Sequence, residues 1–221
     1  GRMEALKVDE DMPLDNKMLS NDIEQAQKTV ESRNFQTRKS VLEYDDVMNQ
    51  QRNLIYTERR KVLDGEDLQE QIHGMIRDFV NSNVSDGLGG VPAESQAALD
   101  EALKPFEGLF MQRGDFRIED FRKADSSSVA PKVLERAEQV YAMREEAFGP
   151  APNGTPLMRE LERVVMLRVV DEYWMDHIDA MTELKRGIGL RGYGNTKPID
   201  AYKQEGFDMF EAMVNGIREE T

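Results

Sequence analysis

The sequence predicts an all-α chain: one very long helix, a small helical module inserted after it, and a long antiparallel hairpin packing back on the long helix. Three observations carry this. Between Ser20 and Asp64 there is neither proline nor glycine, and apolar residues recur at helical spacing. Two further helical segments, about 157–186 and 198–218, flank a short glycine-rich turn. No stretch shows the alternation of period two that a half-buried strand requires.

Composition narrows the function classes. The chain has 221 residues, 33% of them charged, with a formal net charge of -14. That balance argues against non-specific nucleic-acid binding, which needs a basic face. With no cysteine there is no disulfide framework and no thiolate metal site, which mildly favours a reducing compartment. No apolar run is long enough to span a bilayer, and no signal-peptide core follows the N-terminus. Gly1-Arg2-Met3 reads as an artificial edge or as a cut through a larger protein.

Residues 1–19 carry Pro13 and lack a long period, so they read as a lead-in. Ser20 or Asn21 suits an N-cap, with Asp22 and Glu24 in the first turn where the helix dipole favours anions. Ile23, Ala26, Val30, Val41, Leu42, Val47, Met48, Leu54, Ile55 and Val62 then supply the apolar positions of the long helix, 20–66. About 44 residues at 1.5 Å each give about 65 Å. The heptad is not strict, and Asn34, Phe35 and Tyr44 interrupt it. A spine on which other parts lean is therefore expected rather than a coiled coil.

Asp64-Gly65 ends the spine. Asp67-Leu68-Gln69-Glu70 opens the inserted module, 67–152, as a capping box. Ile72, Met75, Ile76, Phe79 and Val80 form its first apolar face. Asn81 to Pro92 reads as a loop, followed by a short helix near 93–104. An irregular piece holds Phe106, Phe110, Phe116 and Phe121, and a helix of about 20 residues over 129–148 ends the module. In the hairpin, 153–221, Thr155-Pro156 reads as an N-cap with proline at the first helical position. Leu157, Leu161, Val164, Val165, Leu167, Val170, Trp174, Ile178, Met181 and Leu184 make a stripe wide enough to bury on two sides. Ile199, Tyr202, Phe207, Met209, Phe210, Met213, Val214 and Ile217 of the second helix cover one side, leaving the other for the spine.

Few motifs point to chemistry. Gly187-Ile188-Gly189-Leu190-Arg191-Gly192 matches G-x-G-x-x-G, but it follows a helix, where a dinucleotide site needs a strand before it and a helix after it. Gly187, Gly189, Gly192 and Gly194 read instead as a helix stop and a tight tip. No Walker A pattern occurs, so no nucleotide hydrolysis and no cofactor is expected of this chain alone. Glu172, Asp176 and His177 suggest a metal only weakly, because a site needs several converging ligands and His73 is far away in sequence. His177 is expected to be packed. No catalytic and no metal-binding residue is assigned. Asn83-Val84-Ser85 and Asn153-Gly154-Thr155 match the glycosylation sequon and are read as loop chemistry. Arg38, Lys39, Glu43, Asp45, Asp46, Arg52 and Arg59 form a mixed-charge band on the spine. Such a band is either a solvated face or a place where domains dock. The embedded Asn34, Phe35, Tyr44 and Tyr56 favour docking.

Two stretches carry a family resemblance. Residues 34–52, Asn34-Phe35-Gln36-Thr37-Arg38-Lys39-Ser40-Val41-Leu42-Glu43-Tyr44-Asp45-Asp46-Val47-Met48-Asn49-Gln50-Gln51-Arg52, with Ile55-Tyr56 and Arg59, closely resemble the start of the helical scaffold of the SecA family, the motor ATPases of bacterial protein export. Trp174, His177, Met181, Leu184-Lys185-Arg186-Gly187-Ile188, Leu190-Arg191-Gly192-Tyr193, Tyr202-Lys203, Phe207 and Met209-Phe210 resemble its two-helix finger. The resemblance covers most of residues 14–221, the middle module by position and by its last helix. It departs at Asn195-Thr196-Lys197-Pro198, where an acidic residue more often precedes the proline.

The resemblance implies a division of roles. Residues 1–19 would end the second nucleotide-binding domain, 20–66 would be the scaffold helix, 67–152 the helical wing and 153–221 the finger. Asn34, Arg38, Tyr44, Asp45, Asp46 and Arg52 would dock the nucleotide-binding and preprotein-crosslinking domains. Trp174, His177, Met181 and Phe210 would pack the hairpin. Leu190, Arg191 and Tyr193 would meet unfolded preprotein in the mouth of the SecYEG channel, and the hairpin would restrain ATP hydrolysis. ATP and Mg would belong to domains outside this chain. The implied setting is cytoplasmic, peripheral to the inner face of the membrane. Arg191 and Lys197 could meet an anionic lipid surface, and the long helices could pair into a homodimer. The competing readings are a free-standing helical adaptor, using the hairpin only as packing, and a metal-binding helical enzyme.

Overall fold

A computed structural model describes residues 16–64, 68–190 and 197–221. Its helices are α1 (Asn16–Asp64), α2 (Leu68–Leu88), α3 (Gln96–Leu103), α4 (Ser126–Phe148), α5 (Leu157–Leu190) and α6 (Pro198–Glu220). Among the described residues there are no strands, only isolated bridges between Glu107 and Met111 and between Pro150 and Pro156. The all-α expectation holds.

α1 runs unbroken for 49 residues. It starts earlier than expected: Ser20 and Asn21 lie inside it rather than capping it, because nothing from Asn16 onward interrupts the helical backbone. Of the expected capping box of α2, Asp67 lies outside the described residues. α2 also runs further than expected, through 81–88. Asn81, Ser82 and Ser85 look like loop residues, but Val80, Val84 and Leu88 recur every four positions and all are buried. Gly87 lies where a Cβ would come 2.8 Å from the Ala102 carbonyl oxygen, so it lets α2 and α3 approach closely. The turn after α2 uses Gly89 and Gly90 at positive φ. Ser95 caps α3 by accepting from the Ala98 amide, and Asp125 caps α4 by accepting from that of Ser128.

Three apolar clusters hold these helices. The wing core gathers Val80, Val84, Leu99, Leu103, Phe106, Phe121, Val129 and Val133. Phe79 stands edge-on to Phe106, with centroids 5.6 Å apart. A second core joins Ile55 and Val62 of α1, Leu68 and Ile72 of α2, Met166, Val170 and Trp174 of α5, and Met213 and Ile217 of α6. The third lies toward the hairpin's far end, where Met181, Leu184, Ile188 and Tyr202 meet Tyr44 and Val47. α2 thus belongs to two cores, its first half to the scaffold and its second to the wing.

Two expectations about the hairpin change. Gly187 and Gly189 do not stop α5; they lie in its last turns, because Leu184 and Ile188 are buried and carry the helix on to Leu190. Gly192 and Gly194 lie outside the described residues. The stripe of α5 is not buried on both sides either: Leu157, Leu161 and Val164 are exposed, as is Phe207 of α6. Thr155 turns back to the Asn153 side chain at 2.7 Å, so its hydroxyl serves the turn. Asn83 sits within α2, not in a loop, and donates to the Phe79 carbonyl.

Candidate functional site

The seat of the hairpin on α1 is organised by one buried polar relay. Gln51 lies one turn from both Val47 and Ile55 on the packed face of α1. Its Nε2 donates to the Gly206 carbonyl of α6 at 3.0 Å, which turns its Oε1 toward His177 Nε2 of α5 at 2.7 Å. With Gln51 so oriented, His177 must carry its proton on Nε2 and donate. Burial pushes the His177 pKa below its ordinary value, so the ring is held neutral. Trp174 lies beside His177 (centroids 5.6 Å apart) and Phe210 stands edge-on to it (5.8 Å). Three helices therefore share one amide. Gly206 admits the approach: a Cβ there would fall 2.7 Å from the Met181 methyl. Gly216 does the same further along, where an added Cβ would run into the Tyr173 ring.

Toward the far end, Tyr44 packs edge-on against the fully buried Tyr202, with centroids 4.7 Å apart. Lys185 Nζ lies 5.0 Å above the Tyr44 ring and 3.9 Å from Asp45 Oδ1. At the other end Arg59 forms a two-pronged pair with Asp171, at 2.8 and 3.1 Å. Along its length, then, α1 is registered against the hairpin by an ion pair to α5, the amide relay to α5 and α6, and a tyrosine pair to α6.

The residues expected to dock other domains divide in two. Tyr44 is half-buried against the hairpin, and Asp45 is tied to Lys185. Asn34, Arg38, Asp46 and Arg52 face solvent, Arg52 donating to Asn49 of its own helix at 3.1 Å. From Ser20 to Leu42 every residue of α1 is exposed, including Ile23, Val30 and Phe35, the last 65% exposed. The packing residues Trp174, His177 and Met181 are buried, and Phe210 is half-buried. Glu172 and Asp176 face solvent while His177 points inward, so the three do not converge. Leu190 is the last residue of α5, and Arg191 and Tyr193 lie outside the described residues. Lys197 occupies the N-cap of α6 without a side-chain bond, and Pro198 follows at the first helical position.

Gln51 was not singled out from the sequence; its signal was a polar residue on an apolar stripe. A second polar group was missed for the same reason. Glu162 sits on the inward stripe between Met158 and Met166, is buried, and accepts from the Tyr141 hydroxyl of α4. Arg159 reaches Glu145 at 2.5 Å and Glu162 at 3.1 Å.

Comparison with known proteins accounts for this arrangement. A family model described as the SecA Wing and Scaffold domain matches residues 13–221. The chain is 43% identical over 219 residues to protein translocase subunit SecA of Clostridium acetobutylicum, covering 99% of this chain and 26% of that protein. It is 43% identical to the Syntrophomonas wolfei subunit (100% and 26%) and 43% identical to SecA 1 of Clostridioides difficile (100% and 24%). The chain thus spans about a quarter of the length of these relatives. The family's description names a wing and a scaffold. The chain belongs to the SecA wing and scaffold family.

Proposed function

We propose that this chain is the mechanical and regulatory portion of a protein-translocating motor. On this reading α1 is a spine for nucleotide-binding and preprotein-crosslinking domains that lie outside these residues and hold ATP and Mg. The hairpin transmits their motion to an unfolded preprotein at a SecYEG channel and restrains ATP hydrolysis. The chain itself contributes no catalytic group. It works at the inner face of the membrane, as a peripheral protein. The observation that carries the reading is the division of α1. Residues 43–64 are packed by the hairpin and the wing helix, whereas 20–42 offer Ile23, Val30, Phe35 and Leu42 to solvent. A helix that carries apolar side chains over that length with no partner among the described residues is built to be covered by something else.

The test uses a full-length motor made cysteine-free, since these residues supply no thiol of their own. Tyr193→Cys should crosslink to a stalled preprotein or to the channel. A thiol at Met175, exposed on α5 far from the tip, should not. If Tyr193→Cys is silent while the preprotein is demonstrably engaged, the fingertip role fails and the adaptor reading takes its place. Adding this chain in trans to a motor core lacking it should lower the basal ATPase rate. An unchanged rate removes the restraining role.

A further inference from the structure

We propose that Tyr141, Glu145, Arg159 and Glu162 form a conformational latch between the wing and the base of the hairpin, and that the wing opens there by hydrating the cluster. The inference concerns the fold itself and stands whether or not the motor reading does.

The wing is attached to the scaffold on two sides that differ in kind. On one side α2 passes unbroken from the scaffold core into the wing core, with Ile76 packed against both. Parting there would break a continuous helix. On the other side α4 turns into α5 through residues 149–156. That turn is itself fixed: the Ala151 amide donates to Thr155 at 2.7 Å and the Leu157 amide to Gly149 at 2.9 Å. Beyond the turn the contact is polar. Arg159 Nη2 spans Glu145 Oε2 (2.5 Å) and Glu162 Oε1 (3.1 Å), and the Tyr141 hydroxyl donates to the same Glu162 oxygen. His73 of α2 lies against the Tyr141 ring at 5.2 Å, so three helices meet at one cluster. Burial and the Glu162 carboxylate raise the Tyr141 pKa far above its ordinary value, so the phenol stays a donor.

The cluster is only partly satisfied. Arg159 Nε and Nη1 and Glu162 Oε2 are buried and have no hydrogen-bond partner among the described residues. Two carboxylates share one guanidinium, leaving one negative charge in excess. Glu162 is buried while Arg159 and Glu145 are each about a quarter exposed, and such a partly buried ion group with orphaned donors and acceptors loses much of its Coulombic gain to desolvation while still fixing geometry. Water reaching the cluster recovers the desolvation cost, so separating α4 from α5 costs less than separating two apolar faces of similar size. The cluster therefore sets where the wing rests without holding it fast, and α2 is the side about which it turns.

The absence of cysteine allows a direct measurement. Spin labels at Glu119→Cys in the wing and Asp179→Cys on the hairpin, both exposed, report the wing-to-hairpin distance by pulsed electron resonance. Arg159→Met alone strands two carboxylates and should shift the distribution to longer distances. Replacing the whole group by apolar residues, Glu145→Leu with Arg159→Met and Glu162→Leu, should do the opposite, narrowing the distribution and raising Tm by roughly 3–8 °C. Should Arg159→Met fail to fold by circular dichroism, Glu145→Gln, at a quarter-exposed position, should produce a smaller shift in the same direction. An unchanged distribution in the foldable single variant, or a loosened wing in the apolar triple variant, overturns the latch.

Discussion

His177 Nε2 and Gln51 Oε1 lie 2.7 Å apart across 126 positions of sequence, inside an otherwise apolar seam. Because Gln51 also donates to Gly206, one amide fixes the rotation of α5 and α6 relative to α1 at the same point. Removing it strands a buried donor on His177. Gln51→Leu is therefore expected to cost about 2–3 kcal/mol, or roughly 5–10 °C in Tm for a chain of this size. Gln51→Leu with His177→Phe removes both polar partners and should cost less than the sum of the two single changes. Thermal unfolding of the four proteins measures the coupling; strict additivity would show that the contact contributes nothing specific.

The same burial gives a pH dependence with a fixed sign. His177 has its pKa lowered in the fold by desolvation, against an ordinary value near 6.5. Below that ordinary value the unfolded chain takes up a proton that the folded chain resists. The contribution of His177 is thus fully present above about pH 6.5 and is lost as pH falls toward the folded-state pKa. Urea titrations from pH 7.5 to 5 should show stability declining on the acid side. His177→Phe should flatten that decline even though it lowers stability at pH 7.5. An identical acid slope in the variant would mean that His177 is not the group responsible.

Glycines inside helices separate propensity from packing. Gly187 has nothing within 4 Å of an added Cβ among the described residues and lies in the last turn of α5, so Gly187→Ala should stabilise by at most about 0.5–1 kcal/mol. At Gly87 the added carbon would sit 2.8 and 2.9 Å from the Ala102 backbone, which has no side-chain freedom to yield. Gly87→Ala should destabilise by about 1–3 kcal/mol despite the better propensity. Gly206→Ala should fall between, since the obstacle is the end of the flexible Met181 side chain in a filled core. Denaturant midpoints for the three variants check the order.

These glycines also mark where the sequence was legible and where it was not. The length of α1 could be read because only proline and glycine reliably break a helix, and neither occurs between Ser20 and Asp64. The end of α2 could not, because Asn81, Ser85 and Gly87 carry loop propensities that Val84 and Leu88 override by burial. Gly187 and Gly189 misled in the same way, with Ile188 as the overriding residue. Spacing puts Trp174 and Met181 on the hairpin's packed side, and the lack of converging ligands together with the family resemblance puts His177 there, but the partner of His177 was not legible, since pairing across 126 positions leaves no local trace. The Arg159 cluster escaped notice because a charged residue on an apolar stripe looks like an imperfection until its neighbours are known.

The largest gap between pattern and structure is in α1 itself, and it yields the last prediction. Ile23, Val30 and Val41 recur at helical spacing, as do Met48, Ile55 and Val62, so periodicity cannot tell which set is covered. In this chain only the second set is: Val62 is 4% exposed and Val30 is 56% exposed. Val30→Gln should therefore leave the stability of the chain within about 0.5 kcal/mol of the parent, while Val62→Gln should cost about 2–4 kcal/mol by placing an unpaired amide in the scaffold core. Hydrogen exchange should show the same division. Amides over 20–42 rest on an exposed stretch of helix with no tertiary support among the described residues and should exchange far faster than those over 47–62, whose opening requires parting the hairpin from α1. On the function proposed above, the order should invert in a full-length motor: Val30→Gln and Phe35→Gln should impair coupling between ATP hydrolysis and transport while leaving the fold intact. Equal protection along the whole of α1 in the isolated chain would mean that 20–42 already have a partner within it, and the division of the helix into a packed half and an offered half would fail.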